Sequence, residues 1–113
     1  MAIEIRGSSD ETLNAIASAL ESYRADHPGT RVTMYRQGPD SIRVRVLDPS
    51  FESMSRGDRS RLVWSYLAPL TDDQQADINM LLLRTPEEIK DSFANFEFED
   101  PVPPLSLKGV AAD

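Results

Sequence analysis

Apolar residues recur at helical spacing from Leu13 through Ile16, Ala17 and Leu20 to Tyr23, and His27-Pro28-Gly29 follows. One stripe of a helix over about Asp10–Asp26 therefore faces a core, and the Pro-Gly pair stops it. The period then drops to two. Arg31–Arg36 and Ser41–Leu47 are short runs rich in β-branched residues on either side of Gln37-Gly38-Pro39-Asp40, which predicts a hairpin. Alternation sends Val32, Met34, Ile42, Val44 and Val46 to one face and Thr33, Tyr35, Arg43 and Arg45 to the other.

Helical spacing returns at Leu62, Val63, Tyr66 and Leu67, in a second helix ending near Pro69, and Thr71–Ala76 offers a short third one. Ile78–Leu83 is too short and too apolar for a surface helix, so it reads as a buried strand, parallel to its neighbour because helices intervene. Four helix starts carry a hydroxyl cap with an acidic or amide partner three residues on: Ser8 with Glu11, Ser55 with Asp58, Thr71 with Gln74 and Thr85 with Glu88. The last begins a helix from Pro86 to about Phe93. With Leu81 and Leu83 assigned to the helix-free side of the sheet, Phe93, Phe96 and Phe98 are the residues expected to cover them. A single domain over residues 1–100 and a disordered tail over 101–113 complete the expected layout.

Composition narrows the chemistry more than it enlarges it. The 113 residues contain no cysteine and one histidine, which removes disulfides, thiolate ligands and cysteine nucleophiles. No run approaches the roughly 18 apolar residues of a membrane span, and Met1–Arg6 is too short for the apolar part of a signal peptide, so a soluble cytoplasmic protein is expected. The net charge of −7 is uneven: residues 31–61 hold seven arginines against four carboxylates, +3 locally, leaving −10 elsewhere. A basic middle within an acidic chain can steer an anionic partner.

His27 reads as a side chain at a helix C-terminus, with no carboxylate or nucleophile placed to make a triad. Asp72 and Asp73 read as first-turn carboxylates complementing a helix dipole; with Asp77 they form an oxygen set that would suit magnesium or calcium, the weaker reading. No Gly-rich phosphate loop or nucleophile–base pair can be assembled, so an enzyme is not expected. The arginines carry the binding expectation. Arg43 and Arg45 share a strand face with Tyr35, and Arg56, Arg59 and Arg61 open the second helix, where backbone N–H groups favour anions. The ordinary alternative is that alternating arginines protect a sheet edge.

Val44-Arg45-Val46-Leu47-Asp48 leading to Phe51-Glu52, then Arg59-Ser60-Arg61-Leu62-Val63-Trp64, then a strand ending at Thr85-Pro86-Glu87-Glu88, resembles the BolA-like family up to about Glu88. The resemblance implies an α+β, two-layer, class II KH-like fold: an αββααβ order, a three-stranded mixed sheet with helices on one face, and a C-terminal helix and tail. It also implies partnership with monothiol glutaredoxins around an iron–sulfur cluster. The family's ligands are a histidine before the last strand and a histidine or cysteine in the hairpin loop. The matching positions here are Asp77 or Ile78 and Gly38-Pro39-Asp40, and the histidine of the helix signature is Ser60. The expectation is a non-catalytic interaction module without cofactor or iron–sulfur ligation. It binds another protein through Arg43, Arg45, Phe51, Arg56, Arg59 and Arg61, with the acidic tail as a weaker second site. The alternative is a nucleic-acid-binding KH-like domain using the same arginines, although the Gly-x-x-Gly loop of RNA-binding KH modules is missing.

Overall fold

The computed structural model describes residues 3–91. Its elements are β1 (Ile3–Ile5), α1 (Glu11–Asp26), β2 (Arg31–Gly38), β3 (Ser41–Leu47), a 3-10 turn at Pro49–Ser53, α2 (Arg56–Leu67), α3 (Asp72–Asp77), β4 (Ile78–Arg84) and a second 3-10 turn at Glu88–Asp91. The strands form one sheet in the order β1-β2-β3-β4. The β1–β2 and β3–β4 pairs are parallel, and β2–β3 is the antiparallel hairpin. An α+β architecture with a mixed sheet results, with one strand more than the sequence suggested.

The added strand is β1. Three residues are too few to show a period, and Ile3-Glu4-Ile5 becomes a strand only by pairing with Val32, Thr33 and Met34, extended by the Arg6 N–H donating to the Met34 carbonyl at 2.9 Å. A second correction concerns the start of α1, which Asp10 caps rather than Ser8. The Asp10 carboxylate accepts the Leu13 N–H at 2.9 Å and also pairs with Arg36 of β2 at 2.6 Å, a link across the fold that a serine hydroxyl cannot make. The Arg36 hydrogen bond holds the Asp10 carboxyl below its ordinary range. At α3 the Thr71–Gln74 capping box forms in full, with bonds of 3.0 and 3.1 Å.

The core lies between the helices and one sheet face. Leu13, Ile16, Leu20 and Tyr23 of α1 and Val63 and Leu67 of α2 pack on Val32, Met34, Ile42, Val44 and Val46, the strand set expected from alternation. Each such burial contributes about 1.5–3 kcal/mol. The β4 side chains fall the other way from the expectation. The register slips opposite Ile42 and Arg43, where Ile78 and Met80 are the successive partners and Asn79 is extra. One extra residue exchanges faces for everything beyond it. Leu81 and Leu83 therefore join the helix-side core, while Leu82 and Met80 turn to the helix-free side. The third correction is at Pro86–Phe93: within the described residues this segment is a 3-10 turn at Glu88–Asp91. The expected positions of Phe93, Phe96 and Phe98, the domain limit at residue 100 and the tail over 101–113 lie outside the described residues. No described helix is long and apolar enough to cross a membrane.

Candidate functional site

The six arginine-face residues expected from the sequence do not share one surface. Phe51 is fully buried, part of the core between Tyr23 and the sheet. Its placement follows from Asp48-Pro49, which ends β3 and starts the 3-10 turn: the Asp48 carboxylate accepts the Ser50 N–H at 2.9 Å, and Pro49 supplies the fixed φ of the first turn position. The turn swings Phe51 inward. The same carboxylate accepts the Tyr23 hydroxyl proton, so a 1%-exposed Asp48 is satisfied from two sides. Burial first, and then this bond, raise the Tyr23 pKa well above its ordinary value.

Arg59 is only 4% exposed and is a structural clamp. Its guanidinium donates to the Met54 carbonyl at 3.2 Å, the Phe51 carbonyl at 2.7 Å and the Leu83 carbonyl at 3.2 Å, and holds both Glu88 oxygens at 2.7 and 3.0 Å. It also lies 5.4 Å from the centre of the Phe51 ring. One side chain thus ties the 3-10 turn, β4 and the second 3-10 turn to α2. Glu88 is held equally firmly, because it closes a capping box with Thr85 at 3.0 and 3.1 Å while it binds Arg59. These bonds, Arg59's above all, lower its pKa to about 2.

Arg45 is buried on the helix-free face and donates to the Thr33 hydroxyl at 3.1 Å, and Arg43 is half-buried beside it. Both stand on β3, an inner strand, so edge protection does not explain them. Arg56 and Arg61 are exposed at the start of α2, where Ser55 caps the helix by accepting the Asp58 N–H at 3.1 Å. Asp58 does not reach back to the cap; its carboxylate turns to Arg61. The expectation that Phe51 flanks an exposed face, with Arg45 and Arg59 within it, is corrected accordingly. Phe51 completes the core, Arg45 is enclosed, and Arg59 spends its donors on main-chain carbonyls.

The structure adds one residue to this corner. Arg84, at the end of β4, donates to the Leu83 carbonyl at 2.9 Å and is half-buried. Its pKa is lowered, first by burial and then by the nearby charges of Arg56 and Arg59, with Glu88 the opposing influence. The charges of Arg56 and Arg59 thus bear on Arg84, while Glu88 is bonded to Arg59. The Thr85–Glu88 spacing was readable as a cap; that its carboxylate also receives Arg59, beside Arg84, was not, because the two residues are 29 positions apart in the chain.

The remaining titratable candidates serve the scaffold. His27 closes α1, its N–H reaching the Tyr23 and Arg24 carbonyls, and its ring stacks on Tyr23 with centroids 4.1 Å apart. Asp77 lies 3.7 Å from Arg36, and Asp72 and Asp73 occupy the first turn of α3. Among the described residues no group of three histidine or acidic side chains is placed to hold a metal ion. An iron–sulfur cluster does not fit the donors of this chain: there is no thiolate, the single imidazole is stacked at the end of α1, and Ile78 is core.

A helix, a hairpin, a helix pair and a parallel strand on one mixed sheet match the arrangement the resemblance implies. Among solved structures the chain is similar to a bol-like protein from Babesia bovis. The two share 22% identity over 74% of this chain and 94% of that one, with a TM-score of 0.43. No protein-family model matches the sequence, and no curated protein does.

Proposed function

We propose that this chain is a non-catalytic protein-interaction module of BolA-like fold, without iron–sulfur ligation, that docks an acidic segment of a partner protein at the corner formed by Arg56 and Arg84. The observation that supports the reading is the pairing of a half-buried Arg84 at the end of β4 with the nearby charge of Arg56, exposed at the start of α2. Arg59 and Glu88 satisfy each other, which leaves Arg56 and Arg84 to take a carboxylate from outside. Charge-assisted bonds from a planar guanidinium suit that ligand.

The test is capture of partners from the native lysate by the intact protein and by an Arg56→Ala/Arg84→Ala double variant, compared at equal concentration. Loss of specific partners with the melting temperature maintained supports the reading; an unchanged partner set overturns it. If binding instead follows single-stranded oligonucleotides and falls steeply with salt, the corner serves nucleic acid.

A further inference from the structure

The two edges of the sheet are built differently. At one edge β1 has three residues and carries Glu4 at its centre, with Arg6 just beyond it, and a short, charged strand resists pairing with another chain. At the other edge β4 has seven residues, and Ile78-Asn79-Met80-Leu81-Leu82-Leu83 holds no charge and no proline. Asn79 is exposed and Met80 and Leu81 are half-buried, so the middle of this strand reaches solvent. Its main chain does too. The Arg84 carbonyl accepts the Asp48 N–H at 3.1 Å, so alternation turns the main-chain groups of Leu82 toward β3 and those of Leu81 and Leu83 outward. The Leu83 carbonyl is taken by Arg59 and Arg84, at 3.2 and 2.9 Å. Among the described residues nothing pairs with the Leu81 N–H or carbonyl.

We propose that β4 pairs antiparallel with β4 of a second copy of this chain, about a two-fold axis at Leu81, so that the two sheets join edge to edge. Two observations choose this occupant. The strand is self-complementary: Leu81 faces its own copy and exchanges both main-chain bonds with it, while Met80 of each copy faces Leu82 of the other. Met80 and Leu82 belong to the apolar cluster on the helix-free side, so those clusters meet across the axis. The charges, moreover, are complementary in one direction only. Asp72, Asp73 and Asp77 precede β4, whereas Arg84 ends it with Arg56 nearby. Antiparallel pairing sets the acidic end of each copy beside the basic end of the other; parallel pairing sets like against like. A single strand edge is small beside the roughly 1,600 Å² of a standard interface, so the dimer is weak and forms as concentration rises.

Sedimentation of the intact protein over a wide range of concentration tests the pairing: the average mass should rise toward that of two chains, and a constant single-chain mass overturns it. Amide hydrogen exchange read by NMR locates the contact, because protection of the Leu81 N–H should grow several-fold with concentration. Equal protection at every concentration means that the edge is covered within one chain, and no protection at any concentration leaves it open to a different partner's strand; either result overturns the second copy. A charge swap fixes the register. Leu81→Lys and Leu81→Glu each set like charges against one another at the axis and should be monomeric, and an equal mixture of the two should dimerise again. A dimer in either folded variant alone, or none in the mixture, overturns pairing about Leu81. Since Leu81 also touches the core, the exchange measurement on the unsubstituted protein stands without the variants. The pairing goes beyond the acidic-partner reading and does not rest on it. The Arg56→Ala/Arg84→Ala variant that tests the corner keeps Leu81 and should still dimerise, because such charges steer association more than they hold it. Loss of the dimer in that variant overturns the strand edge as its seat.

Discussion

The two flanks of the first turn of α2 carry the same residue type to opposite ends. On the inner flank Arg59 is enclosed and spends its guanidinium on three main-chain carbonyls and Glu88. On the outer flank, two residues later, the Arg61 side chain is 76% exposed and meets Asp58 of its own helix. The inner charge is compensated by geometry that only the folded chain provides, and removing it strands acceptors in the interior. The outer charge is already solvated, so its partner contributes little to stability. A cluster of arginines in a sequence is therefore not one feature: the helical position relative to the core divides it into a clamp and a solvated face.

The largest effect should come from the ring that the inner flank shelters. Phe51→Ala removes a fully buried aromatic against Tyr23 and Arg59 and should cost about 3–5 kcal/mol by denaturant melting. A loss under 1 kcal/mol would show that the inner flank is not part of the core. Arg59→Ala comes next, at about 3 kcal/mol, because Glu88 and the Phe51 and Leu83 carbonyls lose their shared donor. Tyr23→Phe deletes only the hydroxyl on Asp48 and should cost about 1–3 kcal/mol, a measure of how firmly the start of the 3-10 turn is tied.

Acid titration sharpens the comparison. Glu88 has its pKa lowered from 4.5 to about 2 in the folded chain, so its contribution is complete above 4.5 and fades as the pH falls toward 2. In Glu88→Gln that part of the acid sensitivity should be missing, which chemical denaturation at pH 6 and pH 3 would reveal. The smallest effect belongs to the outer flank: Arg61→Ala should change stability by no more than about 0.5 kcal/mol. A loss like that of Arg59→Ala would erase the distinction between the flanks.

Much of the layout was legible because periods and caps are local. Thr71–Gln74 and Thr85–Glu88 close as boxes, and the hairpin strands bury the alternating set read from them. The misses are non-local. β1 exists only through its pairing with β2, the face of β4 is decided by a slip opposite Ile42, and Asp10 outcompetes Ser8 through Arg36 across the fold. At the site the sequence located the arginines but not their partners. Nothing within α2 announces that Arg59 meets Glu88, or that Arg84 completes the corner.

The sheet order has a consequence for how the chain assembles. The antiparallel β2–β3 pair is closed by a turn at Gly38–Ser41, whereas Ile3 must find Val32 and Val46 must find Leu83 across roughly 30–40 residues each. Closing the short loop costs less entropy, so the hairpin should form first and serve as the template onto which each parallel strand docks with its own crossover helix. Mutations in the hairpin core, such as Val44→Ala, should then slow folding, while Leu83→Ala on the docking strand should chiefly speed unfolding, a division that stopped-flow kinetics can read.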